Sequence, residues 1–136
     1  MLTRRKFLTY TSVLLLAACG GKSGKKQTKI AAGSTVLALG DSLTYGYGAN
    51  PDESYPAQLQ KLTDWDIING GISGDTSAQA LSRLPALLQR QPKLVIISIG
   101  GNDFLRKFPE AETRNNIAQI IESVQKENIP AVLVGV

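Results

Sequence analysis

The sequence predicts an α/β domain of three layers, a parallel sheet with helices on both faces. Three observations predict it. Strand-like and helix-like segments alternate from Ser34 to the last residue. The strand-like segments are apolar along their length rather than alternating, as strands buried on both faces are. The segments between them are long enough for right-handed crossovers to join neighbouring parallel strands.

The elements follow in order. Ser34 to Leu39 (STVLAL) reads as a buried strand ending at Gly40. Tyr55 to Leu62 carries Leu59 and Leu62 three apart, a helical spacing, and Pro56 fits only in a first turn. Trp65 to Asn69 suits a second strand. Ser77 to Arg90 places Ala80, Leu81, Leu84, Leu87 and Leu88 on one helical stripe, within which Pro85 predicts a kink or a split. Leu94 to Ile99 (LVIISI) is the clearest strand. Thr113 to Glu127, with Ile117, Ile120, Ile121 and Val124 at helical spacing, is the clearest helix. Ala131 to Val136 reads as a fourth strand.

Charge divides the chain in two. Met1 to Lys29 holds seven basic residues and no acidic one, whereas the rest carries eight basic against eleven acidic, a net of −3. The basic balance of the whole chain (+4) therefore belongs to its start. A nucleic-acid binder carries its positive charge on the folded domain, so no nucleic-acid partner is expected. One cysteine excludes an intrachain disulfide, and the lack of histidine excludes ordinary histidine-based metal sites. Neither metal nor cofactor is expected.

The first 19 residues have the layout of a signal peptide: Arg4-Arg5-Lys6, a short apolar run from Phe7 to Ala18, then small residues. Twelve residues span about 18 Å as a helix. That is short of a hydrocarbon core about 30 Å thick. The end of the run, Leu16-Ala17-Ala18-Cys19-Gly20, resembles a bacterial lipobox, which implies a lipid-modified Cys19 as mature N-terminus. Thr3-Arg4-Arg5-Lys6-Phe7-Leu8 resembles a twin-arginine export signal, leaving that route and the general secretory one both open. A plain cleaved signal with an incidental cysteine is the alternative. Residues 20–33 read as a flexible tether and 34–136 as the folded domain. The expected location is the bacterial cell envelope, periplasm-facing, held to the membrane by the lipid.

Chemistry concentrates after the first three strands. Each is followed by a loop of glycine and small polar residues: Gly40 to Gly48, Asn69 to Ser77, and Gly100 to Asp103. In parallel sheets ligands bind beyond the carboxyl ends of the strands, where these loops converge. A serine at the end of a buried strand is rigidly held, as a nucleophile must be. Glycine lets backbone N–H groups approach a reacting carbonyl, and an Asn amide donates to developing negative charge. One such loop is ordinary punctuation. Three in this order are not.

Gly40-Asp41-Ser42-Leu43, Gly74 within Ser73-Gly74-Asp75-Thr76, and Gly101-Asn102-Asp103 resemble blocks I, II and III of the GDSL (SGNH) hydrolases. Glu53-Ser54-Tyr55-Pro56 and Ser82-Arg83-Leu84 resemble the arylesterase, thioesterase I and lysophospholipase branch. The resemblance implies a flavodoxin-like sheet and a serine ester hydrolase acting on small-molecule or lipid esters. It implies Ser42 as nucleophile, with its own N–H, the N–H of Gly74 and the side chain of Asn102 as oxyanion hole. Asp41 and Asp103 would brace the loops, and Asp75 and Thr76 would start the following helix. Tyr45 and Tyr47 either line an acyl pocket or cover the sheet edge.

The chain departs from the family in one respect. The family's base is a histidine in a late Asp-x-x-His block, and these 136 residues contain no histidine. The expectation is a C-terminally incomplete hydrolase, nearly inactive by itself, because a serine hydroxyl without a base is a weak nucleophile. A non-catalytic lipoprotein that binds carbohydrate or acyl groups is the rival reading. A nucleotide-binding domain is disfavoured, since no phosphate-binding glycine motif follows the first strand.

Overall fold

The computed structural model describes residues 28–135. The expected signal peptide, with Cys19, and most of the expected tether lie outside them. Four parallel strands form one sheet: β1 (Thr35–Gly40), β2 (Asp66–Gly71), β3 (Leu94–Ser98) and β4 (Ala131–Leu133). Their order is β2-β1-β3-β4. Leu37 faces Ile68 on one side and Val95 on the other, so β1 and β3 form the centre.

Side chains alternate across a strand, and here both sets are covered. Leu37, Leu39, Val95 and Ile97 pack under Ala80 and Leu84 of α3 (Ser77–Leu88) and under Ile120 and Val124 of α5 (Glu110–Lys126). Val36, Leu94 and Ile96 point the other way, toward Leu59 of α2 (Tyr55–Thr63) and toward Trp65. The three layers predicted from the apolar strands are present, and every residue of β3 is buried.

Four details differ from the sequence reading. Gly70 and Gly71 belong to β2, in register with Leu39 and Gly40, rather than to the loop beyond it. Two loops contain short helices, α1 (Ser42–Tyr45) and α4 (Gly101–Leu105), each too brief to show a period. Pro85 does not split α3, which continues as one helix to Leu88. Proline removes one backbone donor, while Ala80 and Leu84 anchor the helix in the core just before it. Finally, β4 stops at Leu133, although the Val134 N–H still reaches the Ile97 carbonyl at 2.9 Å.

The order of connections fixes where a site forms. From β1 the chain moves outward to β2, then crosses back over β1 to β3. The connections leaving the carboxyl ends of β1 and β3 thus run in opposite directions, and in doubly wound sheets ligands lie in the crevice between them. The segments opening there are Asp41-Ser42 and Gly100 to Asp103.

Candidate active site

The local sequence explains the posture of Ser42. β1 ends at Gly40, where an added Cβ would collide with the Thr44 side chain and come within 2.7 Å of the Ser98 carbonyl. The chain turns there into α1, with Asp41 as N-cap: its carboxylate accepts the Leu43 N–H at 3.0 Å. Ser42 is therefore the first residue of a helical turn at the end of a central strand that is buried from Val36 to Gly40. α1 closes through Gly46, whose φ of +93° suits glycine and whose N–H donates to the Ser42 carbonyl.

The second segment joins the first by its backbone. The Ile72 N–H donates to the Gly40 carbonyl at 3.1 Å. Gly71 packs so close to α1 that a Cβ would lie 2.6 Å from the carbonyl carbon of Thr44. The Asn69 amide donates to the Thr44 carbonyl at 2.9 Å, and its oxygen accepts the Gly71 N–H at 3.0 Å. Gly74 then takes φ +84°, a conformation glycine adopts freely. Thr76 caps α3 in a reciprocal capping box with Gln79. Asp75 does not share the capping expected of it. Its buried carboxylate instead pairs with Arg83, two turns into α3, at 2.7 Å.

The third segment is α4. Gly100 at φ +116° turns the chain out of β3, and Asn102 and Asp103 follow on the helix. The Asn102 amide nitrogen donates to the Asp75 carbonyl at 2.9 Å, which brings the block III residue against the block II loop. That bond occupies one N–H of the amide, and an amide nitrogen carries two. Asp103, 2% exposed, accepts from the Ser77 N–H at 2.8 Å, from the Ser77 hydroxyl, and from Thr113 at 3.3 Å. Arg106 donates to the Gly74 carbonyl at 2.9 Å.

The three segments are thus one hydrogen-bonded unit around Ser42, Gly74 and Asn102. Each of these three residues is partly accessible. Tyr45 and Tyr47 are exposed, 58% and 79%, and an apolar cleft of about 460 Å³ beside α1 is lined by Leu43, Tyr55, Ser98, Val134 and Gly135 instead. Tyr55 bonds Thr44 through its hydroxyl, and burial pushes its phenol above the usual tyrosine value of 10.0. The Thr44 hydrogen bond opposes that shift and the charge of Asp41 adds to it. Sequence reasoning gave no part to Asn69 or Arg106, and saw Tyr55 and Arg83 only within motifs. Asn69, Arg106 and Arg83 reach backbone carbonyls 25, 32 and 43 residues away, and Tyr55 reaches Thr44 on another element.

A three-layer domain built on a parallel sheet thus carries a serine, a positive-φ glycine and an asparagine on the segments at the carboxyl edge of its strands. Residues 38–136 match the GDSL-like Lipase/Acylhydrolase family, and the chain belongs to that family. It is 41% identical over 111 residues to the Escherichia coli (strain K12) protein named Thioesterase 1/protease 1/lysophospholipase L1, covering 79% of this chain and 53% of that one. It is 39% identical over 115 residues to Esterase TesA of Pseudomonas aeruginosa, 80% of this chain and 57% of the relative. An arylesterase of Vibrio mimicus is 39% identical over 111 residues, 77% and 56%. The chain therefore spans little more than half the length of these curated relatives.

Solved structures agree on the fold. AlinE4, described as an SGNH-hydrolase family esterase, superposes with a TM-score of 0.74 at 41% identity, covering 79% of this chain and 61% of its own. The crystal structure of TesA gives 0.73 at 38% identity, 76% and 61%.

Proposed function

We propose that this chain supplies the nucleophile and oxyanion hole of a serine ester hydrolase acting on acyl esters or thioesters in the cell envelope. The observation that carries this is the bond from Asn102 to the Asp75 carbonyl, which holds the amide beside Gly74 with its second N–H unused by that bond. In the reaction the Ser42 Oγ attacks the carbonyl carbon, and its proton passes to a base. The carbonyl oxygen gains negative charge, which the N–H groups of Ser42 and Gly74 and the Asn102 amide stabilise. No residue of the chain is a histidine, so the chain itself does not hold the base of an Asp-x-x-His block.

The test is to join the chain to the C-terminal segment of a related hydrolase that carries Asp-x-x-His. The joined protein should hydrolyse a short-chain aryl ester, and Ser42→Ala should abolish this. Asn102→Ala should lower kcat about 10²–10³-fold, the usual loss for one oxyanion donor. A well-folded joined protein that stays inert, or whose activity survives Ser42→Ala, refutes the assignment.

The same proposal places the protein on the membrane by a lipid on Cys19, facing the periplasm, after export by either route. Its support is the apolar run ending in Leu16-Ala17-Ala18-Cys19-Gly20. Mass spectrometry of the membrane fraction should find a diacylglyceryl group on an N-terminal Cys19, and a soluble protein with an unmodified start elsewhere excludes it.

A further inference from the structure

Arg83 has no assigned part in the chemistry, yet it bridges the first two of the three site segments. It sits on α3, its side chain only 20% exposed, and it reaches back past the start of its own helix. Its Nε donates to the Asp75 carboxylate at 2.7 Å, and its Nη2 donates to the Gly40 carbonyl at 2.9 Å. The Gly40 carbonyl lies two residues before Ser42 and also accepts the Ile72 N–H. Asp75 follows Gly74 directly, and its own carbonyl is the acceptor for the Asn102 amide. One planar cation therefore ties the end of β1 to the Gly74-Asp75 loop and, through that peptide, to Asn102.

We infer that Arg83 is a positioning residue: its fork fixes the register of the Gly74 N–H and the Asn102 amide relative to Ser42. This rests on the ester-hydrolase reading given above. The guanidinium is suited to the task because its donors are rigidly spaced and serve two acceptors at once. A lysine ammonium is a point donor on a flexible stem and does not reproduce that geometry. Oxyanion donors act only when aimed at where charge develops, so a small displacement of the loop lowers the rate without weakening substrate binding in proportion. Misplacement by about 1 Å costs roughly 10²-fold.

The experiment has two arms. In the chain as it stands, Arg83→Met should move the NMR signals of the Gly74 N–H and the Asn102 side-chain amide, while those of Val95 and Ile97 stay in place. Asp75→Asn, which alters no backbone atom, should move the same two signals and carries the test if Arg83→Met does not fold. In the protein joined to an Asp-x-x-His segment, Arg83→Met and Arg83→Lys should both lower kcat roughly 10²-fold, with KM within about twofold. Unmoved Gly74 and Asn102 signals in a folded variant overturn the inference, as does an unchanged kcat or a loss confined to KM. Activity that survives Ser42→Ala overturns the hydrolase reading instead, and the NMR arm still judges the strut.

Discussion

Asp103 shows how a residue inside a functional motif serves the fold. It is almost fully buried and accepts from the backbone and the hydroxyl of Ser77 and from Thr113, while Asn116 donates to the same Ser77 hydroxyl at 3.0 Å. This cluster joins α3, α4 and α5 next to Asn102. Removing the carboxylate leaves buried donors without acceptors, each worth about 1–3 kcal/mol. Asp103→Ala should therefore lower stability by about 3 kcal/mol in urea denaturation, and Asp103→Asn, which keeps one carbonyl acceptor, by less than half of that. A loss under about 1 kcal/mol for the alanine variant would contradict this account. The motif made Asp103 visible in the sequence as a bracing residue. The residues it braces were not visible, because Ser77 and Thr113 lie 26 and 10 positions away.

Among the helices, the long ones were legible and the short ones were not, whereas all four strands were read. β3 and α5 declare themselves by an unbroken apolar run and by a helical stripe. α1 and α4, with four and five residues, are set by Asp41 capping and by the turn at Gly100, not by periodicity. The end of β2 was read as loop because glycine disfavours strands, and here the reason for glycine is contact. At Gly70 a Cβ would lie 2.8 Å from the Ala38 carbonyl oxygen, and at Gly71 it would enter the backbone of Thr44 and Tyr45. Gly71→Ala should thus cost about 1–3 kcal/mol by forcing α1, which begins with Ser42, away from the sheet. Gly101→Ala, whose nearest neighbour would be the Asp41 carboxylate at an ordinary 3.7 Å, should stay within about 1 kcal/mol of the parent. Thermal unfolding of the two variants side by side checks the contrast, and equal losses would refute it.

At the level of the whole molecule, the sheet is covered on both faces but open at its flanks. Among the described residues β4 pairs on one side only, with β3, and Val132, Leu133 and Val134 are 48%, 52% and 42% exposed. An apolar unpaired edge is a template for another chain. Residues 30–136 should associate as concentration rises, and Val132→Lys should reduce this. Sedimentation velocity of the two proteins reads it directly, and a monodisperse parent at every concentration would count against the argument. The sequence alone determined the layers and the parallel sense of the strands, and it singled out Ser42, Gly74 and Asn102 as candidates. It could do so because apolar runs, helical stripes and short glycine-bearing blocks are local patterns. Only the tertiary structure decided that Arg83 spans Gly40 and Asp75, that Asn69 holds α1 and that Asn102 rests on the Asp75 carbonyl. Those bonds join residues distant in sequence, and strand order and crossover path, not local preference, bring their partners within 3 Å of one another.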